Sequence, residues 1–369
     1  MHLLVLLAQE HWTGPAEGVL QLARGLRERG HRVTFVFTRL PAGHLAEHVD
    51  GAFATAPAVR LPRKGFHPLI ATADWFRLRR FVRRENVGAI FCHLSHDHWL
   101  ALALAWGMTP RPAVVRQIHQ SRHLVRRADL AWLYRRTDAL VVGANQWKAK
   151  LVENFGLDPA KVIVIPPGVD TDRFKPDGDV EVIRREIGAQ PGDKLIGMVS
   201  RIKASRGHEL ALQAFQHVRA KQPRAHLLFV GRGEGREALE REVARLDLAS
   251  SVHFLGYRAD DLPAIYRALD VHLLLGEGSD GSCRAALEAM ACGAPVVALR
   301  VGTLTESLAE GCTGFFADPS ADDLAAKILH VLEQPLARET IRAHAVANFS
   351  IAPRVDLAEN LFMRLTDRR

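Results

Sequence analysis

Two carboxylates, Asp280 and Glu288, stand eight residues apart in the stretch GSDGSCRAALEAMACGAPVV (278–297). Glycine, serine and aspartate make its front a turn. Ala285, Ala286 and Ala289 make the rest a slim helix, ended by Gly293 before an apolar strand. An ionised carboxylate is an acceptor only and can take two hydroxyls, so such a pair can grip a polyhydroxylated ligand without a metal. The backbone N–H groups of Gly281, Ser282 and Cys283, where the helix opens, can face an anion. A second stretch, SRIKASRG (200–207), gathers positive charge in Arg201, Lys203 and Arg206 that could meet an anion. Taken alone, Asp280 also reads as a helix cap, Glu288 as a surface residue and the arginines as solvated loop cations.

Other groups carry weaker signals. In HWTGPAEGVLQLA (11–23) a short loop with Gly14 feeds a helix, a geometry that serves either a phosphate or a plain turn. His119 closes the apolar stretch PAVVRQIH (112–119). HLSHDH (93–98) gathers three histidines and an aspartate, but a metal would need them to converge with a further ligand, so a polar loop at a strand end is expected. DTD (170–172) reads as turn residues, and VGRGEG (230–235) fails the G-x-G-x-x-G spacing of a dinucleotide site. No metal ligand set and no cofactor are expected.

These residues hang on an alternation of strands and helices. Near-continuous apolar runs at 3–8, 33–37, 87–92, 113–118, 139–144 and 161–166 suit parallel strands buried on both faces. The pattern pauses at PPGVDTDRFKPDGD (166–179) and restarts with runs at 194–200, 225–231, 252–256, 270–275 and 295–299. The expectation is an α/β protein of two doubly wound domains, 1–167 and 168–346, followed by a helix at 347–369 that returns to the first. Ligands are expected at the carboxyl ends of the strands and between the domains.

Bulk properties agree. A chain of 369 residues, 48% hydrophobic and 24% charged, suits two globular domains. The four cysteines form no C-x-x-C pair, so reduced thiols in a cytoplasmic setting are expected, and MHLLVLLAQEHW reads as a first buried strand rather than a leader. The net charge of +8 is uneven: residues 1–176 hold 25 basic against 14 acidic side chains, the remainder 24 against 27. An anionic surface or ligand is therefore expected for the front half alone, with no nucleic acid as partner.

The motifs then align with a known family. SRIKASRG, LLFVGRGEGREALE, VHFLGYRADDLPAIYRALDVHLLL, SDGSCRAALEAMACGAPVVA and VGTLTESLAEGCTGFFADPSADDLAAKI occur in its order and spacing. Together with TGPAEGVLQLARGLRERGHRVTFV, PAVVRQIH and VIPPGVDTDRF they resemble the retaining, nucleotide-sugar-dependent glycosyltransferases of family 4, with the GT-B fold. That fold is two Rossmann-like domains facing a central cleft. The resemblance implies that Asp280 accepts from donor-sugar hydroxyls and Glu288 from the ribose. It places Arg201 and Arg206 on the leaving diphosphate, Gly14 on the acceptor side and His119 beside the anomeric carbon. Glu306 matches a further family glutamate, and Tyr257 or Arg258 could pack on the base. Two positions depart from the pattern: Asp280 stands where the family has glutamate, and Arg206 where it has lysine. The implied reaction moves a sugar from a nucleotide-diphosphate sugar to an acceptor hydroxyl without a metal. A non-catalytic scaffold and an epimerase or phosphorylase on the same fold are the rivals.

WFRLRRFVRRE (75–85) reads as a helix with Trp75, Leu78, Phe81 and Val82 on one arc. Arg77, Arg80, Arg83 and Arg84, with Phe76 among them, form the other. The expectation is either a solvated basic face or a surface that docks on an anionic inner leaflet near a lipid-linked, lipopolysaccharide-type acceptor.

Overall fold

The computed structural model describes residues 1–8, 14–37, 45–49, 51–55, 68–278, 281 and 283–367. Asp280 and Ser282 therefore lie outside the described residues. The chain divides into two compact units, Met1–Pro167 with Ile351–Arg369, and Gly168–Ser350.

The first unit carries a parallel sheet of seven strands among the described residues: β1 (His2–Leu7), β2 (Arg32–Phe37), β3 (Ala54–Thr55), β4 (Ala89–Cys92), β5 (Ala113–Gln117), β6 (Ala139–Val142) and β7 (Val162–Val164). Their order is β3-β2-β1-β4-β5-β6-β7, so the winding reverses between β1 and β4. Leu3 to Leu7 of β1 are all buried, as a strand covered on both faces must be. Removing each such side chain from water contributes about 1.5–3 kcal/mol.

The second unit holds six parallel strands among the described residues: β8 (Lys194–Val199), β9 (Ala225–Val230), β10 (Val252–Gly256), β11 (Val271–Leu274), β12 (Val296–Ala298) and β13 (Gly314–Phe316). Their order is β10-β9-β8-β11-β12-β13, and the reversal falls between β8 and β11. Both units are thus doubly wound α/β layers. β3 and β13 have no counterpart among the apolar runs. They are edge strands of two and three residues, too short to leave a periodic signal.

The C-terminal return begins at Ile351 rather than at 347. Arg338–Phe349 is a single helix whose Ile341, Ala345 and Phe349 are buried in the second unit's core, so the change of unit waits for its end. The helix Ile351–Asp367 then packs on the helix Gly14–Glu28. Gly25 permits the approach, because a Cβ there would lie 2.4 Å from Val355 Cγ2. Phe362 meets Phe91 with ring centroids 5.3 Å apart. Arg29 bridges Asp356 at 2.5 Å and Glu359 at 2.6 Å.

Candidate active site

In the second unit the sequence motifs converge where the strand order reverses, the position at which doubly wound sheets bind ligands. β8 runs out into Ser200–Gly207, and β11 into Leu275–Gly278. The first loop is clamped from two sides. Ile202 N–H donates to Arg232 O at 3.1 Å, and Gly235 N–H donates to Ile202 O at 3.2 Å. A Cβ on Gly233 would lie 1.9 Å from Ile202 O, so this glycine of VGRGEG is a seat for the arginine loop. On the other side, a Cβ on Gly276 would lie 2.5 Å from Ser205 O and 2.8 Å from Arg206 Cα. Only backbone without side chains lets the two strand-end loops touch.

Arg201 is exposed, with its Nε 4.0 Å from Glu234 Oε2. Arg206 is half-buried in the turn Ala204–Arg206, and Lys203 stays exposed beside it. Two cations on a pinned loop are suited to an anion that arrives and leaves.

Cys283 caps the helix Arg284–Ala291 in the left-handed conformation, φ 51°. That is uncommon for a residue with a Cβ and costs on the order of 1 kcal/mol. The backbone is held there by Thr303 N–H, which donates to Gly281 O at 2.8 Å, and by the Cys283 thiol, which donates to Val301 O at 3.5 Å. Glu306 lies in the short helix Leu304–Ser307 that this contact anchors.

Glu288, on the first turns of the helix, is buried and already engaged. Tyr266 O–H donates to its Oε2 at 2.9 Å, and Arg284 Nε lies 3.0 Å from Oε1, one helical turn back. Burial, with the Glu288 charge beside it, holds the Tyr266 hydroxyl well above its ordinary pKa, so the phenol keeps its proton and remains a donor. Each carboxylate oxygen has a second lone pair. Arg284 has the i,i+4 spacing of a helical ion pair with Glu288, whereas nothing local marks Tyr266, which comes from the preceding helix.

Arg258 is committed to Glu186 at 2.6 Å and Asp261 at 2.7 Å, while Tyr257 is exposed. Of the two residues considered for the base, the tyrosine is the more exposed, with the Arg232 guanidinium 5.9 Å from its ring centroid. Asp170 in DTD accepts from the N–H groups of Asp172 and Arg173 at 3.1 and 3.0 Å, a turn closed on itself.

The first unit gathers a second set of groups at the carboxyl ends of β4 and β5. His119 follows β5, and its Nε2 lies 3.1 Å from Nδ1 of His93, which follows β4 and is fully buried. Burial, with Arg116 and Arg354 nearby, pulls His119 down to about 3 and His93 well below the ordinary histidine range. Both rings are therefore neutral at physiological pH, one donating to the other. The remaining members of HLSHDH diverge. Asp97 accepts from Ala8 and Leu94 N–H at 3.1 and 3.0 Å, and His98 pairs with Thr137 Oγ1 at 2.6 Å. Among the described residues no group of three or more His, Cys, Asp or Glu side chains is placed to hold a metal ion. Gly14 opens the helix that follows β1, and Arg354 of the returning helix donates to Gly18 O at 2.8 Å, one turn further on.

In the helix Pro68–Arg84, Leu78, Phe81 and Val82 are buried with Trp75 partly so, and Arg77, Arg80, Arg83 and Arg84 are exposed with Phe76. No helix among the described residues is long and apolar enough to cross a membrane.

Fold and motif order define a class. Residues 12–173 match Glycosyltransferase Family 4, and residues 179–347 match the Glycosyl transferases group 1 family. A D-inositol 3-phosphate glycosyltransferase of Geodermatophilus obscurus is 31% identical over 366 residues, covering 89% of this chain and 78% of that protein. Another, from Rhodococcus opacus, is 30% identical over 302 residues, 78% of this chain; the match spans only 65% of that relative's length. Anabaena Alr3699/HepE, solved in complex with UDP-glucose, superposes with a TM-score of 0.80 at 20% identity, over 98% of this chain and 99% of that one. The chain belongs to the family-4 glycosyltransferases, with the GT-B type of fold.

Proposed function

We propose that this chain is a retaining, metal-independent glycosyltransferase that moves a sugar from a nucleotide-diphosphate donor to a hydroxyl of a cell-envelope acceptor, of the lipopolysaccharide type, at the cytoplasmic face of a membrane. The observation that carries the donor half is the seating of the Arg201–Arg206 loop against Gly233 and Gly276, beside the strained helix start at Cys283. That seating holds the backbone of the Arg201–Arg206 loop at the strand reversal, which supports reading its cations as a diphosphate site. The UDP-glucose named for Alr3699/HepE supports the same reading.

In this account Asp280 accepts hydrogen bonds from sugar hydroxyls, and Glu288 uses its remaining lone pairs for the ribose. Arg201, Arg206 and the N–H groups at Gly281, Ser282 and Cys283 stabilise charge that develops on the departing diphosphate, the part a metal plays in other transferases. The acceptor oxygen bonds to the anomeric carbon on the face the diphosphate leaves. The bond from that carbon to the bridging oxygen breaks, and the acceptor's hydroxyl proton passes to a diphosphate oxygen. Neutral His119 contributes a hydrogen bond to the sugar.

Incubation with a panel of UDP-, GDP- and ADP-sugars in EDTA tests this. One donor should release its nucleotide slowly to water. Release that requires added magnesium or manganese, or conversion to an isomeric donor, would overturn it.

A further inference from the structure

Four aromatic side chains of the first unit face solvent: Phe76 is 66% exposed, Trp99 46%, Trp106 82% and Trp132 42%. Phe76, Trp99 and Trp132 lie on the helices Pro68–Arg84, Ser95–Ala105 and Ala128–Arg136, Trp106 is the residue that ends the second, and the three helices are tied into one surface. Phe76 packs edge-on to Trp75 with centroids 4.7 Å apart, and Trp75 Nε1–H donates to Ala103 O at 3.0 Å. Arg79, one turn along, donates to Leu104 O at 2.9 Å and Trp106 O at 2.6 Å. Trp106 ends the helix that carries Trp99, its N–H donating to Leu102 O at 3.1 Å, seven residues or nearly two turns after Trp99. Trp99 then stacks on Trp132 with centroids 5.1 Å apart, and the Arg136 guanidinium sits 4.1 Å over Trp132.

The charge around these rings is one-sided. Residues 68–138 hold twelve arginines and five acidic residues. Two of those acids, Asp74 and Asp97, are buried, and two more, Asp129 and Asp138, are paired with Arg127 and Arg111. Arg77, Arg80 and Arg83 are exposed and have no acidic partner among the described residues. Single exposed apolar residues are ordinary, but three exposed indoles, two of them stacked, on a unit whose neighbouring helix bears unpaired arginines are not.

We infer that this surface docks on an anionic phospholipid bilayer, with the indoles of Trp99, Trp106 and Trp132 at headgroup depth and the arginines on the lipid phosphates. Charge complementarity selects the anionic leaflet, and tryptophan, apolar with one polar N–H, is the side chain that favours that depth. A single-stranded nucleic acid would need open ring faces to stack on, whereas Trp132 is already covered by Trp99 and Arg136. The docking rests on the proposed function only for what acceptor waits in the membrane; the binding itself does not depend on it.

The full chain is sedimented with neutral phosphatidylcholine vesicles and with vesicles containing phosphatidylglycerol, at low and high salt. A parallel titration with brominated lipids reads indole depth. The wild type should pellet with the anionic vesicles alone, detach in high salt, and lose fluorescence to the brominated chains. Arg77/Arg80/Arg83→Glu should weaken binding by more than about tenfold, since each surface cation contributes roughly 1 kcal/mol. Trp99/Trp106/Trp132→Ala should lose most of the quenching while keeping the wild-type melting temperature; single Trp106→Ala serves if the triple variant does not fold. Equal pelleting on both vesicle types, wild-type binding by these variants, or tighter binding to a single-stranded oligonucleotide than to anionic vesicles would overturn the proposal.

Discussion

His93 and His119 share one hydrogen bond, Nδ1 to Nε2 at 3.1 Å, across the ends of neighbouring strands β4 and β5. His93 is fully buried and reaches no sugar itself, so its effect is to fix the tautomer and tilt of His119. Replacing His93 by Phe should lower kcat by about tenfold, about 1.4 kcal/mol, with the donor KM little changed. His93→Gln, whose amide can still donate, should recover most of that loss. Steady-state kinetics that rank the two variants equally would remove the positioning role.

The carboxylates are separable by what each loses. Asp280→Ala should abolish transfer, since a contact that tightens in the transition state contributes on the order of 2–4 kcal/mol, while Asp280→Glu should retain part of it. Glu288→Gln should weaken nucleotide affinity, measured by calorimetry. Tyr266→Phe, which removes the internal donor 2.9 Å away and spares the carboxylate, should bind nucleotide like the wild type. If Tyr266→Phe weakens affinity as much as Glu288→Gln does, the carboxylate serves the fold and not the ribose.

Gly276→Ala would put a methyl group 2.5 Å from Ser205 O, and the Arg206 loop must move to admit it. Nucleotide affinity should fall as it does for Arg206→Ala, roughly 10- to 100-fold for a charge-assisted hydrogen bond. Arg206→Lys should keep much of it. Wild-type affinity in Gly276→Ala, read by calorimetry, would mean that the loop's position is immaterial.

Stability should fall on acidification. Burial holds His119 and His272 at about 3 and His123 and His208 at about 4, against 6.5 for a free imidazole. Between those limits the unfolded chain binds protons that the folded one refuses. The stabilisation is therefore complete above 6.5 and lost as the pH drops toward 3. Asp97, raised to about 6 by burial, acts in the opposite sense, but it is one carboxyl against four imidazoles. Calorimetry should give a lower Tm at pH 5 than at pH 7.5; an equal or higher Tm at pH 5 would contradict the buried, neutral rings.

Both sheets were legible because strands buried on two faces leave unbroken apolar runs, and the pause at 166–179, rich in Pro, Gly and Asp, separated them. β3 and β13 were not: β7 and β12 are as short as β13 but sit inside apolar runs of five or six residues, whereas β3 and β13 do not. The Arg201–Arg206 loop was visible as charge, but its seat on Gly233 and Gly276 was not. A close backbone approach leaves no mark in sequence beyond a glycine, and VGRGEG has several. His93 was noticed as a possible ligand; that it faces His119 depends on β4 and β5 being neighbours, which follows from topology rather than from HLSHDH. The patch of Trp99, Trp106 and Trp132 leaves no local signal, because it joins one helix and the residue that ends it to a second helix about thirty residues on.

The central claim is transfer with retention from a nucleotide-diphosphate sugar. Its most direct test is proton NMR of the anomeric signal during slow hydrolysis of the productive donor in EDTA, read before mutarotation. The first-formed free sugar should carry the donor's anomeric configuration, and Asp280→Ala should abolish the signal. A first-formed sugar of opposite configuration, or an isomeric nucleotide sugar in its place, would contradict it.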